Sequence, residues 1–206
     1  MKIIDNQFSY KTIQSPSESL LKEKGSKFLG HVIPVKSTED AKAHIQNLRD
    51  LHPKACHVCF GWRIGTTSLE ERSSDDGEPS NSAGKPIFGQ IVKYELVNVL
   101  VAVVRYYGGV NLGVGGLISA YKGAAEAAIK NGSIIEKHKE TELKIYFAAE
   151  DTGEAMMHLN RANASILNHS VDQKGHFVQC STLLSLKEDL LSTLNQTNKF
   201  DIEIIT

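Results

Sequence analysis

The sequence has little cysteine, no excess of charge of either sign and no long hydrophobic run, and each absence excludes a class of protein. Its 206 residues contain only three cysteines. This odd number, with no apolar leader, predicts reduced thiols and a cytoplasmic protein without a disulfide framework. The formal net charge is -1, so no overall field attracts nucleic acid or an anionic membrane. The most apolar run, residues 97–104, is far shorter than the roughly 20 residues that cross a bilayer.

Apolar residues make up 41% of the chain, enough to fill one or two cores, and their spacing predicts an α+β protein. A strand over residues 27–35 is followed by a helix with Ser37 as its N-cap and a stop at Pro53. Further along, the pattern predicts a strand at 55–64, a long loop at 65–86, a short helix at 87–94, a buried strand at 97–106 and a helix from 117 to Gly132.

The charged segment around residues 131–140 predicts a domain boundary, with a first domain at 1–136 and a second at 137–206. The second half has strand patterns at 143–149, 166–171, 176–184 and 200–205, and helical patterns at 152–162 and 186–194. The resulting order, β-α-β-β-α-β, is that of a ferredoxin-like sandwich with two helices on one face of an antiparallel sheet.

Cys56-His57-Val58-Cys59 has the spacing of a zinc half-site or a redox pair. Zinc needs a second pair of ligands, and only Cys180 remains among the cysteines. Alternation along a strand sends Cys56 and Cys59 to opposite faces, which favours structural cysteines and no metal. His57 shares a face with Cys59; its ring either points at a functional site or is hydrogen-bonded in the packing.

Ser74-Asp75-Asp76-Gly77-Glu78-Pro79 places three carboxylates, Asp75, Asp76 and Glu78, in the long loop, with Lys85 downstream. Three interpretations are open. The carboxylates can hold Mg²⁺, share a proton in acid-base chemistry, or bend the loop through hydrogen bonds to backbone N–H groups. The spacing of a Ca²⁺-binding loop is absent.

The most specific passage runs from Arg105 to Leu117 and joins the buried strand to a helix. Its candidate binding residues are Arg105, Tyr106, Tyr107, Gly108, Gly109, Asn111, Gly113, Gly115 and Gly116. Glycines permit positive φ and close approach, and a helix start offers free N–H groups to an anion. An arginine can clamp a phosphate and a tyrosine can stack on a base.

The passage fits neither of the two nucleotide-binding fingerprints. The Lys-Ser/Thr of a phosphate-binding loop is missing, and Ile118 replaces the third glycine of the dinucleotide-binding motif G-x-G-x-x-G. The alternative to a binding site is that the glycines form a tight turn, which lets the helix pack on the sheet.

Together these passages resemble the IMPACT family, in its two-domain bacterial, YigZ-like branch. The motifs that carry the resemblance are Ser26-Lys27-Phe28, His57, the Ser74 to Pro79 loop, Ala83-Gly84-Lys85-Pro86, Arg105-Tyr106-Tyr107-Gly108-Gly109, Leu112-Gly113, Gly115-Gly116-Leu117 and Ala120-Tyr121. The resemblance implies a ribosomal-protein-like first domain, as in elongation factor G, and a second domain like the ferredoxin-like last domain of that factor. Its eukaryotic members restrain a kinase that controls translation initiation by competing for the activator of that kinase.

One departure concerns charge. The family commonly has a basic residue in place of Asn111, and often another in place of Ser119, so attraction for phosphate is weaker here. The leading hypothesis is a non-enzymatic, translation-linked protein that binds RNA, the ribosome or a translation-associated partner, without a cofactor. The alternatives are a metal-dependent hydrolase or small-ligand enzyme that uses the acidic loop, which we define as Ser74 to Pro79, and a purely protein-protein regulator.

Overall fold

A computed structural model of the chain describes residues 8–205. They form two compact units, Tyr10–Lys137 and the remainder from His138 onward, which also includes Phe8 and Ser9. The predicted boundary after residue 136 lies next to this division, but Phe8 and Ser9 group with the second unit rather than the first. Both units combine helices with antiparallel strands, which confirms the α+β class.

The elements alternate along the chain. The strands are β1 (Ser9–Ile13), β2 (Ser17–Glu23), β3 (Ser26–Pro34), β4 (His57–Ile64), β5 (Glu70–Ser74), β6 (Val99–Tyr106), β7 (Ile134–His138), β8 (Glu140–Phe147), β9 (Ser165–Asp172), β10 (Gly175–Leu183) and β11 (Asp201–Ile204). The α-helices are α1 (Thr38–Leu51), α2 (Gly84–Lys93), α3 (Gly113–Asn131), α4 (Thr152–Arg161) and α5 (Lys187–Asn195). None of these helices is long and apolar enough to span a membrane.

The first unit is built on a five-stranded antiparallel sheet of order β2-β3-β6-β4-β5. The central strand β6 is buried on both faces, as its β-branched run predicts. Val99, Val101 and Val103 face α2 and α3, whereas Leu100, Ala102 and Val104 face α1. The sheet therefore has a hydrophobic core on each side.

The start of α1 follows from local sequence, but the start of α3 does not. Ser37 Oγ accepts a hydrogen bond from the N–H of Asp40 and caps α1. The start of α3 is different, because Leu112 occupies the cap position and supplies no side-chain acceptor. The helix also begins at Gly113, four residues before the predicted start at residue 117.

Four strands were not predicted. Of these, β5 lies inside the segment expected to be a loop, residues 65–86, and β7 lies in the segment expected to be a linker. Both are largely exposed and carry charged residues, so they lack the apolar alternation that marks a strand. Strands β1 and β2 lie in the polar start of the chain.

In the second unit, the elements from β8 to β11 follow the order β-α-β-β-α-β, and the sheet has the order β11-β8-β10-β9 with antiparallel neighbours. Helices α4 and α5 share one core with β8 and β10, which includes Leu143, Leu159, Val178 and Leu190. Both helices therefore cover the same face of the sheet.

Candidate functional site

Asp75 holds the end of the acidic loop against the start of α2. Its Oδ1 accepts hydrogen bonds from the N–H groups of Ala83 and Gly84 at 2.9 and 2.8 Å, and its Oδ2 accepts one from Asn81 at 2.8 Å. Burial raises the pKa of Asp75, but these three N–H donors outweigh it, so the pKa is lowered. The carboxylate is thus a helix cap, which Ala83 at the cap position cannot provide.

Asp76 fastens the same loop to α1 and β4. Its Oδ1 accepts a hydrogen bond from Arg49 Nη2 at 2.6 Å, and its Oδ2 accepts one from the N–H of Val58 at 2.7 Å. Its carbonyl oxygen lies 2.7 Å from His57 Nδ1. Because a carbonyl only accepts, His57 carries a proton on Nδ1 and donates it. His57 is therefore hydrogen-bonded within the packing.

Glu78 is buried, with a side chain only 4% exposed, and lies at the centre of a polar cluster. Its Oε1 accepts hydrogen bonds from Arg105 Nη1 at 2.5 Å and from the hydroxyl of Tyr121 at 2.6 Å. His57 Nε2 lies 3.8 Å from the same oxygen. Burial raises the pKa of Tyr121, and of the neighbouring Cys59, so both groups stay protonated.

The carboxylates of the acidic loop are engaged by groups of the fold itself. All three, Asp75, Asp76 and Glu78, accept hydrogen bonds from the protein. Among residues 8–205, no group of three or more His, Cys, Asp or Glu side chains is arranged to hold a metal ion. The interpretation that matches this geometry is the one in which the carboxylates bend and fasten the loop.

Arg105, Tyr106 and Tyr107 differ in burial, and Tyr106 lies on a different side of the sheet from Arg105. Arg105 is 6% exposed and directed to Glu78, so its guanidinium is engaged inside the fold. Tyr106 lies on the α1 side of the sheet, where its hydroxyl is 2.8 Å from His52 Nδ1. Only Tyr107, 48% exposed, is directed to solvent. Alternation along β6 places Tyr106 on the face opposite Arg105, whereas the Arg105 guanidinium carbon lies 5.6 Å from the ring centroid of Tyr107.

The glycine turn, which runs from Gly108 to Gly116, packs against the β2–β3 hairpin through Gly108. Its N–H donates to Ser26 Oγ at 3.1 Å, and a Cβ added at Gly108 would lie 1.9 Å from the carbonyl carbon of Gly25. Gly109 and Gly113 have φ of 84° and 71°, which side chains rarely adopt. The hydroxyl of Tyr107 donates to Asn111 Oδ1 at 3.2 Å across the turn. The turn is therefore fixed at its base.

Gly115 and Gly116 differ from the other glycines of the turn. A Cβ added at Gly115 meets nothing within 4 Å, and one at Gly116 meets only the side chain of Leu112. Gly115 also lies within α3 without a positive φ. Neither packing nor backbone conformation requires a glycine at Gly115. Lys85, the remaining predicted site residue, is exposed in the first turn of α2.

Four of the exposed side chains around the turn are apolar or aromatic, a feature not predicted from the sequence, and the exposed Asn111 and Ser119 are polar. We define the turn face as Tyr107, Val110, Val114 and Ile118, which are 48%, 51%, 53% and 38% exposed. Val114 and Ile118 are one helical turn apart and so lie on the same side of α3. The signal that could have identified this face is the spacing of four residues from Val110 to Val114 and again from Val114 to Ile118.

Comparisons with known proteins agree on one family. The model of the Impact N-terminal domain matches residues 24–129, slightly more than half of the chain. The IMPACT family member YigZ of Escherichia coli is 38% identical over 109 residues, which cover 52% of this chain and 53% of YigZ. The protein IMPACT homolog of Saccharomyces cerevisiae is 32% identical over 115 residues, 53% of this chain and 44% of the homolog. The chain thus spans about half the length of these relatives.

A solved structure extends the likeness beyond that domain. A crystal structure described as that of a hypothetical protein is 26% identical, with a TM-score of 0.78 over 97% of this chain and 98% of its own. Both units therefore have counterparts in one known protein. Because the family model covers more than half of the sequence, the chain belongs to the IMPACT family.

Proposed function

We propose that this chain is a non-enzymatic, translation-linked regulatory protein that binds a translation-associated protein through the turn face. The observation that carries the proposal is the chemistry of the face. Its exposed side chains are apolar or aromatic, and Arg105, whose guanidinium carbon lies 5.6 Å from the Tyr107 ring centroid, is paired with Glu78 in the interior. Apolar and aromatic side chains exposed on a folded surface favour a protein partner.

The turn is well suited to close contact with a partner. Gly109, Gly113 and Gly115 have no neighbouring atoms within 4 Å of an added Cβ, so a partner can approach the backbone there. Beneath them, Gly108 is fixed to Ser26. A surface that is already rigid loses little conformational entropy on binding.

Family membership supports the link to translation, since the eukaryotic members of the IMPACT family restrain a kinase of translation initiation. The strand order of the second unit supports the ferredoxin-like assignment of residues 137–206. With residues 1–136 as the IMPACT-type, ribosomal-protein-like domain, the chain has the two-domain arrangement of the bacterial branch. No membrane partner is proposed.

RNA or the ribosome is the second candidate partner, and two lysines favour it. Lys24 and Lys27 are exposed on the hairpin that packs against Gly108, and neither has an ion-pair partner within residues 8–205. Their charges are available to phosphate. The turn itself adds no positive charge, because Asn111 and Ser119 are neutral, and for this reason the protein partner ranks first.

In-cell crosslinking followed by fractionation on a ribosome gradient tests the proposal. The variant V114Q/I118Q removes apolar surface from the turn face, and L51Q makes the same change at a leucine that is 64% exposed on α1. We expect the wild-type chain and L51Q to retain a crosslinked protein partner after nuclease treatment, and V114Q/I118Q to lose most of it.

The outcomes separate the candidates. Cofractionation with ribosomal subunits that nuclease abolishes, and that K24Q/K27Q weakens, favours RNA or the ribosome over a protein partner. A partner that V114Q/I118Q and L51Q retain equally contradicts a role for the turn face.

A further inference from the structure

Edge strands present unpaired backbone groups, and within residues 8–205 all but one of the edge strands are protected by charged side chains. The edges are β2 and β5 in the large sheet, β9 and β11 in the second unit, and both strands of the β1–β7 pair. Their charged residues are Glu18, Lys22 and Glu23 in β2, Glu70, Glu71 and Arg72 in β5, Asp201 and Glu203 in β11, Lys11 in β1, and Glu136 and Lys137 in β7. In β9, only the last residue, Asp172, is charged.

Strand β9 is also the most exposed of these edges. All eight of its residues are exposed, and the large apolar ones, Ile166, Leu167 and Val171, are 47%, 51% and 58% exposed. A register shift against β10 leaves Leu167 outside the pairing. Strand β9 therefore combines free backbone hydrogen-bonding groups with apolar side chains and no charge over its first seven residues.

We propose that β9 pairs with β9 of a second copy of this chain, antiparallel and about a two-fold axis through His169. In this register Leu167 lies opposite Val171 of the second copy, and Asn168 lies opposite Ser170. The two His169 residues face each other at the centre. The two four-stranded sheets then form one continuous sheet of about eight strands, in which β9 is no longer an edge.

The sequence of β9 favours its own copy because the pairing is self-complementary. Apolar residues meet apolar residues at Leu167 and Val171, small polar residues meet at Asn168 and Ser170, and no like charges are opposed. Asp172 lies opposite Ile166, at the end of the paired segment, and its carboxylate already accepts a hydrogen bond from Lys144 at 2.7 Å. The other edges would bring charged side chains into the new pair.

One strand pair is smaller than the roughly 1,200 Å² that stable interfaces bury, so we expect a weak, concentration-dependent dimer. Sedimentation of the full chain from about 10 µM to about 1 mM covers the corresponding range of Kd. Hydrogen exchange at both ends of this range locates the interface. We expect the amides of residues 165–172 to exchange more slowly at the high concentration.

Two charge variants at the proposed axis test the register. H169K and H169E each oppose like charges across the axis, and we expect each to weaken dimerisation by up to about fivefold. An equimolar mixture of the two places opposite charges at the axis and restores association. This recovery also shows that both variants are folded. The matched controls S73K and S73E, on the charged edge β5, are expected to associate like the wild-type chain.

Any one of three results overturns the proposal. They are a wild-type chain that stays monomeric up to about 1 mM, a dimer that H169K and H169E do not weaken, or an equimolar mixture no more associated than either variant alone. Protection from hydrogen exchange that increases with concentration elsewhere, but not at residues 165–172, contradicts it as well.

Discussion

Arg105 Nη1 donates a hydrogen bond to Glu78 Oε1 at 2.5 Å, and both side chains are at least nine-tenths buried. Glu78 belongs to the acidic loop, Arg105 is the last residue but one of the central strand β6, and Tyr121 of α3 donates to the same oxygen. One carboxylate therefore joins three elements of the first unit. The pair is structural, and it holds the loop and the helix that carries the turn face in a fixed relation.

Removing one partner of this pair should be costly. Arg105→Ala leaves the Glu78 carboxylate buried without its cation, and we expect a loss of about 3–5 kcal/mol in the free energy of unfolding. Urea denaturation measures it. The double variant R105M/E78L, which removes both charges, should lose much less than R105A. A loss below about 1 kcal/mol for R105A would show that the pair does not contribute as described.

Asp75 should act as the cap of α2. Asp75→Ala removes the acceptor of three backbone N–H groups, and we expect it to lower the free energy of unfolding by about 1–2 kcal/mol. Because the pKa of Asp75 is lowered in the fold, its contribution is present above the unfolded pKa of about 4 and is lost as pH falls through the folded value. The difference between D75A and wild type should therefore shrink in acid. A constant difference contradicts this role.

Two glycines of the turn should respond in opposite ways to alanine. Gly108→Ala places a Cβ 1.9 Å from backbone, so we expect strong destabilisation. Gly115→Ala meets no atom within 4 Å, and in a helix alanine is favoured by about 1 kcal/mol, so we expect a small stabilisation. Thermal unfolding measures both. If G115A is more stable but loses the crosslinked partner, then Gly115 serves binding; destabilisation of G115A contradicts this account.

The sequence predicts elements well where apolar spacing is strong. Strand β6, helix α1 and the β-α-β-β-α-β order of the second unit follow directly from such patterns. Strands β5 and β7 escape detection because they are exposed and charged, and only pairing with a neighbour makes them strands. Local sequence does not contain that information.

The site is harder to predict than the fold, because partners distant in the chain decide what a charged side chain does. Arg105 and Glu78 are 27 residues apart, and nothing in either motif indicates that they neutralise each other. A motif with clustered charge therefore appears available for a ligand until the fold is known. The turn face escapes prediction for a different reason, because a sequence pattern does not show that Val114 and Ile118 are exposed rather than part of the core.

The three cysteines should differ sharply in reactivity. Cys56 is exposed, whereas Cys59 and Cys180 are buried. Burial raises the pKa of the Cys59 thiol, and raises that of Cys180 to about 11, so neither forms thiolate near neutral pH. Titration of the native chain with a thiol reagent should find one fast-reacting group, absent in C56S. Fast reaction of two thiols would contradict this expectation and favour the hypothesis that Cys56 and Cys59 form a functional pair.

The stability of the first unit should fall in mild acid because of His31. This residue is 7% exposed, its Nδ1 lies 3.2 Å from Glu18 Oε1, and its ring centroid is 6.0 Å from that of His52. Burial lowers the pKa of His31, Glu18 partly opposes this effect, and His52 adds to it. The net direction is downward, so the unfolded chain binds the proton more readily than the folded one.

Stability from this effect is complete above the unfolded pKa of about 6.5 and is lost as pH falls through the folded value. One histidine contributes a slope of at most about 1.4 kcal/mol per pH unit. Urea denaturation from about pH 7.5 to about pH 5.5 should give a shallower decline for H31Q than for wild type. E18Q removes the carboxylate that raises the pKa and should make the decline steeper. Equal slopes for H31Q and wild type would assign the acid sensitivity to other groups.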